Sequence, residues 1–192
     1  MNAARDTILQ RVRMALGVDA HRPPAPTKTP IFPPVVNPEA RFREEFAALK
    51  GEFIENADKL RAFLDGFAKI ATDGSEFVRK TVGEANASVR ECDLGVTSCD
   101  CLVAQTGSIV VSTLSAGGRA LSVLPQTHLV IVRREQIVPD LATAMALLRK
   151  RYDRHWPSAL SVITGPSRTA DIEKILVMGA HGPKRLVVYF AD

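Results

Sequence analysis

Between Ser161 and Pro183 the chain reads SVITGPSRTADIEKILVMGAHGP. Two hydroxyls (Ser167, Thr169), a guanidinium (Arg168) and two carboxylates (Asp171, Glu173) follow a Gly165-Pro166 turn, and His181 stands on a second turn before Gly182-Pro183. If the apolar run up to Thr164 is a strand and residues 169–177 form a helix, the free N–H groups at that helix start can hold an anion. Arg168 can clamp it with paired hydrogen bonds, and Asp171 and Glu173 suit the positive end of the helix dipole. His181 titrates near neutrality and can relay a proton or bind a carboxylate. The same pattern also reads as an ordinary N-terminal cap, a hydroxyl followed by acids. A cap needs one hydroxyl, however, and gives Arg168 no duty. The expectation is an anion site at GPSRT, with Arg168 as clamp and with His181 and Arg119 near enough to contribute; its ligand is a carboxylate or a phosphate.

Other chemistries are poorly served. Cys92, Cys99 and Cys101 lie close together but form no C-x-x-C pair. Three thiolates would need a fourth ligand, so buried, apolar cysteines are the simpler reading, and no metal is expected. No G-x-G-x-x-G follows an apolar run, so a nicotinamide or flavin fingerprint is missing. The net charge is +4, but Arg5, Arg11, Arg13, Arg22 and Lys28 against Asp6 and Asp19 place most of it in the first 28 residues. Arg149, Lys150, Arg151 and Arg154, beside Tyr152 and Trp156, fall at the end of an expected helix, where cations suit the dipole. Nucleic acid is therefore not an expected partner. No apolar run approaches the length of a membrane span, and the first residues lack the apolar core of a secretion signal. A cytoplasmic location is expected.

These groups need a scaffold, and the chain's periodicities outline one. Ile8, Leu9, Val12 and Leu16 mark a short amphipathic helix. Seven of the 12 prolines then fall between Pro23 and Pro38, giving extended, semi-rigid chain. We therefore expect an arm over residues 1–38 and an α/β domain over 39–192; the arm's helix can pack on its own domain or on another chain. Residues 39–50 read as a helix with Phe42, Phe46 and Leu49 on one face. EFIEN suits a short strand, 57–71 a second helix, and SEFVRKT either a strand or a helix. LVAQTGSIVVST suggests two short strands around a tight Thr106-Gly107 turn. THLVIV is a continuous apolar run, fit for a strand buried on both faces of a parallel sheet. A helix beginning near Pro139, a strand over 159–164, the helix over 169–177 and a last strand from Arg185 complete an alternation that argues for parallel crossovers in a three-layer α/β/α domain.

Taken together, GVT, TGSIVV, GGRALSVLP, THLVIV and GPSRTADIE…G-x-HGP, in that order, resemble the LUD-domain family in its lactate-utilization branch, from about Glu39 to the end. The matching positions are Thr106, Gly107, Gly118, Arg119, Pro125, Gly165, Pro166, Ser167, Ala170, Asp171, Ile172, Glu173, Gly179, His181, Gly182 and Pro183. The resemblance implies a NagB/RpiA/CoA-transferase-like fold with a mostly parallel sheet. It also implies a place in a three-protein system oxidising L-lactate to pyruvate, whose iron–sulfur clusters sit on the partner subunits. It adds Thr106, Gly107 and Arg119 to the candidate ligand-binding residues.

Members of the family often carry a carboxylate where this chain has Gln105. An amide is neither base nor nucleophile. That favours an accessory or substrate-binding subunit over a free-standing CoA-transferase- or isomerase-like enzyme acting on a small anion.

Overall fold

The computed structural model describes residues 3–17, 32–169, 177–178 and 182–191. The chain divides into two units, Met1–Pro33 and Pro34–Asp192. In the first, helix α1 (Ala3–Gly17) forms where the amphipathic spacing predicts it.

The second unit begins with α2 (Pro38–Ala48), β1 (Glu52–Ile54), α3 (Ala57–Leu64), β2 (Ile70–Thr72) and α4 (Glu76–Val82). Strands β3 (Leu94–Thr97), β4 (Cys101–Val103), β5 (Ser108–Ser112), β6 (Thr127–Val132) and β7 (Ile137–Val138) follow. Helix α5 (Leu141–Tyr152), then β8 (Leu160–Ile163), β9 (Arg168–Thr169), β10 (Val177–Met178) and β11 (Arg185–Phe190) complete it. Short polar side chains set the helix starts: Asn37, Asn56, Ser75 and Asp140 each accept the N–H three residues on. Each satisfies a donor that the helix itself leaves free. None of the described helices is long and apolar enough to cross a membrane.

Five strands form an all-parallel sheet in the order β1-β11-β6-β3-β2. THLVIV lies at its centre as β6, every residue buried, because both faces of this sheet are covered. On one face, α3 and α4 contribute Leu60 and Val78 against Leu94, Val96, Leu129, Ile131 and Val187. On the other, Phe42 and Phe46 of α2 join Leu102, Ile109 and Val111 against Val130, Val132, Leu186 and Val188. Those last partners from β4 and β5 belong to a second sheet, β7-β4-β5-β8. Its far face packs Cys101, Val103 and Val110 on Ala144 and Leu148 of α5. The α/β reading with a mostly parallel central sheet holds, and a second, mixed sheet is inserted between that sheet and α5.

Three local expectations need correction. The helix expected over 57–71 stops at Leu64, and Ile70–Thr72 is a strand paired with β3. Phe67 and Ile70 pack against the same apolar cluster as Leu64, so the burial period continued although the helix did not. The helix expected over 169–177 is absent at both ends: Arg168–Thr169 pairs antiparallel with Val177–Met178. Nor does the strand before GPSRT belong to a parallel crossover, since β8 runs antiparallel to β5 in the second sheet.

Candidate functional site

In a parallel sheet, ligands favour the carboxyl ends of strands, at the point where successive connections leave on opposite faces. Here that point lies between β2, which leads to α4, and β3, which leads to the second sheet. Asp73 follows β2 and Ser98 follows β3. Asp73 Oδ2 accepts the Ser98 N–H at 2.7 Å and lies 2.9 Å from its hydroxyl, while Oδ1 accepts the Ser75 N–H. The Ser98 hydroxyl also lies 2.8 Å from Ser115 O.

From Ser115 the network turns inward. Its hydroxyl donates to Asp100 Oδ2 at 2.8 Å, and Asp100 is only 1% exposed. The other carboxylate oxygen accepts from Arg151 Nη1 at 2.9 Å and from the Tyr152 hydroxyl at 2.5 Å. Burial, then the bond to Asp100, raises the Tyr152 pKa, so the phenol stays a donor. The Tyr152 oxygen lies 2.8 Å from Ser112 Oγ. A buried carboxylate demands such partners, and Asp100 holds together β4, the loop after β5 and the end of α5.

Ser112 is also part of the wall of a cavity of about 160 Å³, with Thr113, Gly118, Arg119, Ser122 and Ser161. Arg119 is oriented there by one bond, from Nη2 to Ser158 O at 3.2 Å. Ser122 is buried, with its hydroxyl unbonded among the described residues. A guanidinium and several hydroxyls around a small volume make a carboxylate-binding arrangement.

Beneath the same loop, His128 of β6 is fully buried. Its Nε2 lies 2.9 Å from Thr97 Oγ1, while Nδ1 has no partner. Burial pushes its pKa down to about 4, so the ring is neutral at physiological pH. Gly95, paired with His128 across the sheet, has no room for a side chain: a Cβ would stand 2.6 Å from Leu121 O and 2.7 Å from Pro125 Cγ. The blocks GVT, THLVIV and GGRALSVLP thus meet at one place, beside the Arg119 cavity.

A family model described as LUD domain matches residues 39–191. The chain belongs to the LUD domain family. Similar curated proteins are named lactate utilization protein C. That of Geobacillus sp. (strain WCH70) is 35% identical over 108 residues, 55% of this chain and 45% of the relative. That of Bacillus subtilis (strain 168) is 38% identical over 104 residues, 53% and 43% of the two chains. The matched stretch thus spans less than half the length of these relatives. Among solved structures, a DUF162 family protein from Deinococcus radiodurans superposes with a TM-score of 0.57 at 18% identity, covering 81% of this chain and 96% of that one. That likeness concerns the fold.

The remaining LUD-domain blocks assemble elsewhere. Gly107 takes a left-handed φ of 60° where a Cβ would stand 2.6 Å from Phe46 N, so the Thr106-Gly107 turn lies flat against α2. Thr106 Oγ1 lies 2.7 Å from Ser108 Oγ, which is 2.8 Å from Thr164 Oγ1. Gly165 abuts Leu49 at the end of α2, and Arg168 donates to Leu49 O. Arg168 therefore has a structural duty after all, on a helix carbonyl left free by the end of α2. The Ser167 N–H donates to Pro183 O at 2.9 Å, and Thr169 pairs with Val177. Asp171, Glu173 and His181 lie outside the described residues.

The structure does not bring Arg119 to Arg168. Thr106, Gly107 and Arg168 gather where β5 begins, and Arg119 lies where it ends; β5 spans Ser108–Ser112, roughly 13 Å of extended chain. Since the bond to Leu49 O is exposed, Arg168→Ala is expected to cost about 1 kcal/mol of stability, read by urea denaturation. An unchanged midpoint would remove that structural role.

The three thiols do not converge. Cys99 lies in the core between the sheets and Cys101 in the core under α5, while Cys92 donates to Val89 O. Burial raises all three pKa values, Cys101 to about 11. Gln105 occupies the short 3-10 turn before Gly107, its N–H donating to Pro139 O.

Asp73, Ser98, Asp100, Ser115, Ser122, Arg151, Tyr152 and His128 were not among the expected site residues. Asp100 could have been found: a carboxylate inside the apolar run CDCLV needs buried partners. His128 in THLVIV carried the same signal.

Proposed function

We propose that this LUD domain is a substrate-binding subunit of a lactate-oxidising system, holding L-lactate or pyruvate by its carboxylate at Arg119. The observation that carries the reading is the cavity of about 160 Å³ lined by Arg119, Thr113, Ser122 and Ser161. A small volume edged by one guanidinium and several hydroxyls suits a three-carbon acid. The names of the similar proteins, lactate utilization protein C, support such an acid. Arg119 takes the carboxylate, and Ser122, in the cavity wall, meets the oxygen on C2. Oxidising a 2-hydroxy acid to a 2-oxo acid removes two electrons and two protons. Iron–sulfur clusters on partner subunits would take the electrons and solvent the protons, which leaves this chain to bind and orient the acid.

Calorimetric titration with L-lactate, pyruvate and inorganic phosphate tests the site. Arg119→Ala is expected to weaken binding of the organic acids about ten- to a hundredfold, the loss of one charge-assisted contact of roughly 1.5–3 kcal/mol. Arg168→Ala should leave it intact. Equal affinity in wild type and Arg119→Ala would refute the cavity as the site. Turnover of lactate by the isolated chain would instead favour a free-standing enzyme.

A further inference from the structure

We infer that Gly95 and the Asp73–Ser98 pair are positioning residues for Arg119, holding the loop between β5 and β6 so that the guanidinium stays at its cavity. The inference rests on the proposed reading of that cavity as a carboxylate site. Residues 113–126, between the end of β5 at Ser112 and the start of β6 at Thr127, lie in neither helix nor strand. Ordered loops longer than about 12 residues without regular structure are uncommon in compact domains and mark functional segments. Arg119 is exposed and no strand ladder fixes it. Its place depends on what pins the chain to either side.

Just before Arg119 the chain sits on Asp73. Gly117 takes a φ of 61°, and a Cβ there would stand 2.8 Å from Asp73 Cα. Asp73 has little freedom to yield. Its N–H donates to Val96 O, and its carboxylate accepts the N–H groups of Ser75 and Ser98. The Ser98 hydroxyl lies within bonding distance of both Asp73 Oδ2 and Ser115 O, tying the same stretch of loop to the end of β3.

Just after Arg119 the chain sits on Gly95. Leu121, Ser122 and Pro125 are buried, and the Leu121 carbonyl and the Pro125 ring occupy the space that a side chain at Gly95 would need. Gly95 lies inside the parallel sheet, paired with Ala71 of β2 and His128 of β6, so the strand cannot move aside. A methyl group at position 95 must therefore push the loop. Going from 2.6 Å to the 3.4 Å of an ordinary contact is a shift of about 0.8 Å, beyond the roughly 0.5 Å within which a binding constellation must be held.

Between these two seats only Gly118, Arg119 and Ala120 remain. A Cβ at Gly118 would meet open space, so the crowding is confined to the seats. Arg119 itself makes a single bond, to Ser158 O. With the backbone fixed on either side, the guanidinium is placed before a carboxylate arrives rather than ordered by it, which lowers the cost of binding. Gly95, Asp73 and Ser98 do not line the cavity. They act through Arg119.

Calorimetric titration with L-lactate and hydrogen exchange of residues 113–126 test the inference together. Gly95→Ala is expected to weaken lactate binding about tenfold or more and to speed exchange in the loop. Ser98→Ala removes a hydroxyl without adding an atom; it should weaken binding about threefold and keeps the test open if Gly95→Ala fails to fold. Gly51→Ala is the control for general damage. Its Cβ would stand 2.3 Å from the Phe46 ring on α2, so the urea midpoint should fall while lactate affinity and loop exchange stay at wild-type values. A positioning role also predicts that Gly95→Ala costs no further affinity once Arg119→Ala is present, because the two act on one contact. Additive losses would overturn the inference, as would wild-type affinity and exchange in both Gly95→Ala and Ser98→Ala. Intact lactate binding in Arg119→Ala would refute the cavity reading and this inference with it, whereas intact binding in the Gly95 and Ser98 variants alone refutes only the inference.

Discussion

Asp100→Ala is expected to lower the stability of the domain by roughly 1–3 kcal/mol, the cost of leaving largely buried donors without their acceptor. The carboxylate is 1% exposed and collects three side-chain donors, from Arg151, Tyr152 and Ser115. Alanine leaves the hydroxyls of Tyr152 and Ser115 without their acceptor, while Arg151, 43% exposed, can turn to water. It also frees three separate pieces of chain: the start of β4, the loop after β5 and the end of α5. Ser112 would lose its fixed neighbour through Tyr152, so the Arg119 cavity should lose shape as well. Urea denaturation at neutral pH measures the first effect and lactate titration the second. Asp100→Asn keeps the volume and one acceptor and should fall between wild type and alanine. A loss under about 1 kcal/mol for alanine would mean that water replaces the carboxylate easily and the network is not a structural centre.

Acid should destabilise the protein through His128. The folded-state pKa is lowered to about 4 by burial, against about 6.5 in the unfolded chain. Below pH 6.5 the unfolded state takes up a proton that the folded state refuses, so stability falls as pH falls. The contribution is complete above pH 6.5 and is lost progressively down to about pH 4. At 1.36 kcal/mol per unit it amounts to ~3 kcal/mol. Glu52 acts in the same sense at lower pH, because its bond to Arg185 lowers its pKa; its loss begins only as carboxylates titrate. The two windows are therefore separable. Urea midpoints measured from pH 7.5 to 4 should fall steeply for wild type and far less for His128→Leu, which cannot titrate. Parallel curves for the two proteins would show that protonation of His128 is accommodated, most simply by water at Nδ1.

Much of this architecture was legible in the chain. THLVIV has no polar face, and a strand of that kind is stable only when covered on both sides, so its central place in a parallel sheet followed from composition. The Thr106-Gly107 turn followed from a glycine between two apolar runs, and it takes the left-handed conformation that glycine tolerates. Helix starts were written in single residues, as at Asn56 and Asp140. The order of the LUD-domain blocks carried the family. These features were readable because each depends on residues a few positions apart, or on a pattern repeated along one element.

The tertiary structure decided whatever depended on partners far away in sequence. GPSRT had the composition of a helix start, but the Ser167 N–H is claimed by Pro183 and Arg168 by the end of α2, so strand pairing prevailed. Residues 159–164 alternated with helices as a parallel strand would, but β5 offered an antiparallel edge. Arg119 and Arg168 looked alike as anion clamps. Only the pairing of β5 with β8 separates them, leaving Arg119 at a cavity and Arg168 on a helix carbonyl. Asp100 and His128 were hidden for a related reason. A polar residue in an apolar run signals a need for partners without naming them, and Arg151, Tyr152, Ser115 and Thr97 become partners only once the two sheets have packed.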